Sequence, residues 1–308
     1  MTRVSTAEGW HSALLNLMNA QTRQFEAQNR VSSEKVATDL KGYGRTAETL
    51  TAFKSSQARL NAFVANGEAV SSRLTSQDLG LTTLADAADG ARQAINDALA
   101  SGRGDAVMLD LGGRLQSAID ALNAKHEGRF LFAGGRTDQK PVDADTLADL
   151  TAAPAIADLF DNDALKAASR LDDFTVVETG FLADELGEDL LTAFRAVQAF
   201  HEATPFGGQL TDAQRTFLEG IVGSFKDAHE SVTNAAAKNG SLQRRVDTHV
   251  KSQQEQAGAL EELISKRTDV DMAEAITRLQ QAQLSVQASA QVIGQLRGLS
   301  LLDILSPG

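Results

Sequence analysis

The sequence predicts a mainly α protein: an elongated helical bundle or coiled coil of N- and C-terminal arms, with a small irregular central subdomain between them. Three observations carry this expectation. Ala and Leu supply 49 and 37 of the 308 residues while aromatics make up 5%, a composition that favours helix over sheet. The four prolines stand at Pro141, Pro154, Pro205 and Pro307, which leaves residues 1–140 and 206–306 free to be helical. Apolar residues also recur along both arms at helical spacing, over lengths beyond those of ordinary globular helices.

The first helix has a start signal in Ser5 and Glu8, a capping-box pair, and an apolar stripe at Trp10, Leu14, Leu17, Met18, Phe25 and Val31. Between Val31 and Arg45, Ser, Asp, Gly42 and Gly44 break the pattern and predict a turn. Stepping from Leu50 by three and four in alternation gives 15 positions up to Leu99. Ten of these are apolar, where composition alone predicts about six. A long second helix follows, with packing of coiled-coil type. Ser101 to Asp105 turns the chain into a third helix carrying Met108, Leu111, Leu115, Ile119 and Leu122, antiparallel to the second.

Arg129 to Gly135 (RFLFAGG) then reads as a short extended segment ending in a glycine turn, and Phe174 to Thr179 as a second strand. A helix is expected from about Gly187 to Ala203, halted before Pro205. The last arm opens with a capping box at Thr211 and Gln214 and keeps its stripe in phase through Gly240, predicting one long helix with a weak point there. A final helix starts near Asp269. The expected divisions are an N-terminal assembly helix and turn (1–45), a helical hairpin (46–128), an acidic central subdomain (129–210), a long bundle helix (211–267) and a C-terminal assembly helix (268–308).

Composition excludes several classes of function. With no cysteine there is no disulfide scaffold, thiolate metal site or Cys nucleophile. The longest apolar run is four residues, Phe130 to Ala133, too short for a membrane span or a secretory signal core, so any export is expected to be unconventional. A net charge of −12 argues against nucleic acid as a partner. Most of that charge is local: Asp138 to Asp189 holds 14 acidic and 3 basic residues, the pattern of a solvated face. Asp161 and Asp163 resemble the start of a calcium loop, but Lys166 and Asp172 stand where that loop needs Gly and Glu.

Catalytic motifs are absent as well. There is no Gly-Lys dipeptide and hence no P-loop, and Val107 replaces the third glycine of a dinucleotide fingerprint. His126-Glu127 and His201-Glu202 begin like zinc-protease helices, but Phe130 and Pro205 occupy the second histidine positions, so both histidines are read as surface or capping residues. Only one Glu-x-x-His pair exists, Glu8 to His11, where a di-iron bundle needs two. Arg103-Gly104-Asp105 looks like an adhesion tripeptide but lies in an interhelical turn, which accounts for it. No cofactor, metal or catalytic residue is assigned, and the chain is not expected to be an enzyme.

The segment TDVDMAEAITRLQQAQLSVQASAQVIGQLRGLSLLDIL, Thr268 to Leu305, resembles the terminal helix of bacterial flagellins. Gln28-x-x-Val31-Ser32-Ser33-x-Lys35 is similar to the turn after the first helix of that family, and GRFLFAGGRTDQKP, Gly128 to Pro141, to the branch found at the hook–filament junction. The resemblance covers roughly residues 1–141 and 240–305. DLKGYG replaces the common pro-ser-asp-asp-pro turn, and the short central insertion argues against a large outer β-domain.

The resemblance implies an extracellular structural component of the bacterial flagellum, secreted through the flagellar type III apparatus without a cleaved signal peptide. It would serve motility as a self-assembling adaptor between hook and filament. The implied partners are neighbouring copies of itself, the hook-side junction protein, flagellin and an export chaperone, with no nucleic acid and no membrane insertion. In the family both terminal helices line the inner tube, are poorly ordered in the monomer and order during assembly. The corresponding candidate interface is Leu14, Leu17, Met18, Phe25 and Val31 from the front and Ile276, Leu279, Leu284, Val286, Ile293, Leu296 and Leu299 from the back. At ~100° per residue Leu279, Val286 and Ile293 share one seam, Ile276 borders it and Leu284 faces elsewhere. An ordinary intramolecular core accounts for the same residues. A filament flagellin, and more remotely a helical enzyme or ligand-binding bundle, remain the alternative functions.

Overall fold

The computed structural model describes the backbone of residues 2–305 and the side chains of residues 8–296. Seven helices carry most of it: α1 (Thr2–Ser33), α2 (Ala47–Ser101), α3 (Val107–Leu122), α4 (Leu147–Ala152), α5 (Ala183–Ala203), α6 (Asp212–Thr268) and α7 (Met272–Leu305). Two short 3-10 helices, Leu40–Thr46 and Ile156–Leu159, and two small antiparallel ladders complete the regular structure of the described residues. One pairs β1 (Lys125–His126) with β2 (Arg129–Phe130), and the other pairs β3 (Ala168–Arg170) with β4 (Val176–Glu178). The mainly α reading is correct. The chain forms two compact units, one of residues 1–59 with 255–308 and one of residues 60–254.

In the unit of residues 60–254 the stripe counted from Leu50 becomes a core. Leu81, Ala88 and Ile95 of α2 meet Leu111, Leu115 and Ile119 of α3, Leu190 and Phe194 of α5, and Leu218 and Phe225 of α6. Phe194 and Phe225 pack edge to face with ring centres 5.0 Å apart, and Phe200 stacks on Phe217 at 4.1 Å. The Ser101–Asp105 turn works as expected, with Gly102 at φ 70°. It is tied to a second turn: Gly104 N donates to Gly208 O (2.9 Å), Leu210 N to Gly102 O (2.8 Å), and Gly208 N to the Asp105 carboxylate (2.7 Å). Arg103 and Asp105 pair with each other at 2.7 Å, so the adhesion-like tripeptide is spent on local structure.

Thr211 and Gln214 form the expected capping box, with Thr211 N donating to Gln214 Oε1 (2.9 Å) and Gln214 N to Thr211 Oγ1 (3.3 Å). α6 runs unbroken through Gly240. There Asn239, fully buried, donates to Leu74 O of α2 at 2.9 Å, a cross-helix bond that supports the helix beside its glycine. His201 is a cap, its Nδ1 accepting from Phe206 N at 3.0 Å.

The middle of the chain departs most from expectation. Arg129 to Gly135 supplies only a two-residue ladder, because beyond it the buried Leu131 to Ala133 bond to separate segments: Leu131 N donates to Ala124 O (2.9 Å), Phe132 O accepts from Ala183 N (2.9 Å) and Ala133 bridges to Leu182. The strand expected from Phe174 to Thr179 is present as Val176–Glu178, and its partner Ala168–Arg170 had no apolar alternation to announce it. α5 starts four residues earlier than expected, with Asp184 and Glu185 in its first turn. The one-and-a-half-turn α4 was not anticipated, although Thr146 and Asp149 cap it reciprocally. Asp163, half of the calcium-like pattern, accepts from Gly135 N (2.7 Å) and Leu165 N (2.9 Å) and so closes a loop.

Candidate functional site

The unit of residues 1–59 and 255–308 is built on α1 packed against α7, running antiparallel so that Ala27 lies near Ala275 and Ala13 near Ser289. Between residues 8 and 28 the positions shielded from solvent are Trp10, Ala13, Leu17, Ala20, Gln24 and Ala27, and Val31 continues the series. Between 271 and 296 they are Met272, Ala275, Leu279, Ala282, Val286, Ser289, Ile293 and Leu296. Both series advance by three and four in alternation, the spacing of a coiled-coil seam. Alternate members are small along most of the seam: Ala13, Ala20 and Ala27 recur at seven-residue intervals, as do Ala275, Ala282 and Ser289 before Leu296 ends the α7 series. Small side chains let two helices approach closely but bury little apolar surface each, so the seam gives register with only a modest driving force.

The base of this pair is a clamp between the two interhelical links. Val36 N donates to Thr268 O (2.7 Å) and Val270 N to Glu34 O (3.0 Å), with Glu34 at a positive φ of 57°. Lys35 pairs with Asp269, whose carboxylate also accepts from the Ser265 and Thr268 hydroxyls. The Lys35 ammonium and these hydroxyls hold the Asp269 carboxyl down at about 2, and the same bond raises the Lys35 pKa. Asp271 then caps α7 through Ala273 N at 2.9 Å.

Of the candidate residues, Leu17, Val31, Leu279, Val286, Ile293 and Leu296 lie in this intramolecular seam. Leu14, Met18, Phe25, Ile276 and Leu284 do not, and stand 45%, 56%, 65%, 43% and 64% exposed. The Leu299 side chain falls outside the described residues. Leu14, Met18 and Phe25 form a second stripe on α1, about 110° around the helix from the seam.

Charge is distributed unevenly along the pair. Ser12 to Thr22 and Leu279 to Leu296 contain no charged residue, and the antiparallel packing sets these two stretches side by side. Toward the clamp the surface is ionic, with Arg23, Glu26, Arg30, Glu274 and Arg278 around a groove of about 340 Å³. Sequence reasoning missed the alanine half of the seam, although the seven-residue recurrence of Ala13, Ala20 and Ala27 was there to read. It also missed the Lys35–Asp269 clamp, whose partners are 234 residues apart.

Residues 222–305 match the family model of the bacterial flagellin C-terminal helical region. This stretch of the chain is similar to the flagellin C-terminal arm. The matched stretch comprises most of α6 and all of α7, so the α7 side of the seam lies within it. Two solved structures share the fold. A Vibrio parahaemolyticus protein assigned as flagellar hook-associated aligns at a TM-score of 0.60 and 14% identity, over 75% of this chain and 99% of its own. Bacillus cereus FlgL aligns at a TM-score of 0.54 and 16% identity, over 70% of this chain and 98% of its own. Among curated proteins nothing matches the chain. Among the described residues, no three His, Asp or Glu side chains converge as a metal site and no helix is long and apolar enough to cross a membrane.

Proposed function

We propose that the chain is a non-enzymatic structural subunit of the bacterial flagellum that polymerises through its terminal helices at the hook–filament junction. One observation carries the assembly part of this reading: the charge-free stretches of α1 and α7 lie side by side and expose Leu14, Leu15, Met18, Leu284 and Val292 to water. A surface without charges avoids the penalty of burying an unpaired ion when covered, and its apolar side chains gain from being covered, so neighbouring copies can enclose it where its amides find partners. The flagellin-type arm supports the family, and the hook-associated protein and FlgL with which it shares a fold support the junction. Flagellin and the hook-side junction protein are then the flanking partners. The route is flagellar export without a cleaved signal, aided by a chaperone.

A filament subunit is the second reading, because the matched C-terminal region is that of flagellin itself. Deleting the gene separates the two. If the chain is the adaptor, hooks remain intact and flagellin escapes into the medium as monomer. If filaments stay attached to hooks, the adaptor reading fails. If the deletion removes the major filament protein itself, the second reading replaces it.

A further inference from the structure

The β3–β4 hairpin is anchored up to its turn, from which one ring projects into solvent. Leu171 and Val177 are buried against Val70, Leu74 and Val246, Asn66 donates to Arg170 O at 2.7 Å, and Gln253 donates to Leu171 O. The Asp172 carboxylate fixes the turn by accepting from Phe174 N (2.8 Å) and Thr175 N (2.6 Å). On this rigid turn Phe174 stands 96% exposed, followed by Val176 at 57%. The tip segment DDFTVVE, residues 172–178, contains three acidic residues and no basic one.

At the foot of the same hairpin is a cleft of about 460 Å³ with the opposite character. Phe130, Leu131 and Ala167 provide apolar wall, and Arg73 and Arg129 provide positive charge. The neighbouring segment KHEGRFLFAGGR, residues 125–136, carries Lys125, Arg129 and Arg136 against the single acid Glu127, which also lines the cleft. Arg73 makes one hydrogen bond, to Thr179 Oγ1 at 3.3 Å, and has no carboxylate partner among the described residues. Burial lowers its pKa, as it must for a guanidinium stripped of water with no anion beside it. A partly dehydrated cation above an apolar wall suits a ligand that brings both a carboxylate and a ring.

We propose that the Phe174 tip of one copy seats in the Arg73 cleft of the next. The tip cannot fill its own cleft: Thr179 at the foot lies five positions beyond Phe174, roughly 16 Å of strand at ~3.3 Å per residue. A contact between two different patches on identical chains is head-to-tail and propagates into a ring or helix. The inference thus rests on the self-assembly proposed above, and gives the residue 60–254 unit its own contribution to it.

The absence of native cysteine makes the test clean. Full-length Phe174→Cys and full-length Thr137→Cys, the latter on the cleft lining, are assembled singly and as a mixture under mild oxidation. The expected result is a disulfide-linked dimer in the mixture and little in either variant alone. Assemblies that form without the mixed disulfide overturn this inference and leave the terminal-helix reading standing; failure of the wild-type chain to assemble under any condition overturns both. Phe174→Ala supplies a second readout, since a ring so exposed contributes little to the fold. Its melting temperature should match wild type while the concentration needed for assembly rises about tenfold or more. Equal assembly by this variant also overturns the inference.

Discussion

The sharpest test of the terminal-helix surface replaces its second stripe and leaves the seam intact. Leu14, Met18 and Phe25 stand 45%, 56% and 65% exposed, and fully burying a side chain of this size is worth about 1.5–3 kcal/mol. Covering what remains exposed on the three therefore stabilises each assembled subunit by about 2.5–5 kcal/mol, scaling each by its exposure. At 1.4 kcal/mol per factor of ten, the triple change Leu14→Gln, Met18→Gln, Phe25→Gln should raise the critical concentration at least ~60-fold. Glutamine keeps helix propensity and adds no charge, so the monomer should lose no more than about 0.5 kcal/mol. Sedimentation of the full-length chain over a concentration series reads the first quantity, and thermal melting by circular dichroism the second. Unchanged assembly would refute the reasoning. So would a large loss of monomer stability, because it would place the stripe within the chain's own packing.

Three further outcomes are expected. Leu279→Asp puts a carboxylate into the α1–α7 seam, so residues 1–33 should become sensitive to trypsin while the core around Phe194 stays protected; equal loss of protection in both units would contradict the division. The Asp269 carboxyl is held at about 2, below its ordinary 3.8, so its contribution is full above about pH 4 and is lost as pH falls toward 2. The gap in thermal stability between wild type and Asp269→Asn should thus be present at pH 5 and close on acidification; a gap independent of pH would show that the ion pair is not its origin. Phe194→Ala removes a fully buried ring and should cost about 3–5 kcal/mol in denaturant unfolding of residues 60–254, whereas a cost below 1 kcal/mol would mean the core collapses to fill the space.

The helices were legible because their signals are local. The stripe from Leu50 to Leu99, the Thr211–Gln214 box and the Gly102 turn each depend on residues within a few positions of one another, and α2, α6 and the α2–α3 turn follow them closely. The middle was less legible because its order comes from distant partners. Ala168–Arg170 becomes a strand only because Val176–Glu178 pairs with it and Asn66 and Gln253 bind its end.

The candidate surface shows the same division. Spacing alone identified which residues of α1 and α7 are apolar and placed Leu279, Val286 and Ile293 in one seam. It could not say what each face meets, since a helix apolar on two sides presents the same pattern whether it packs on its own chain or on another. Tertiary structure decided that: the antiparallel pairing assigns Leu17, Leu279 and Ile293 to the inside and leaves Leu14, Met18, Phe25 and Leu284 in water. It also brought Lys35 to Asp269 across 234 residues, and set a desolvated Arg73 and a fully open Phe174 at opposite ends of one hairpin. Periodicity is written along the chain, whereas pairing is a property of chain folded back on itself.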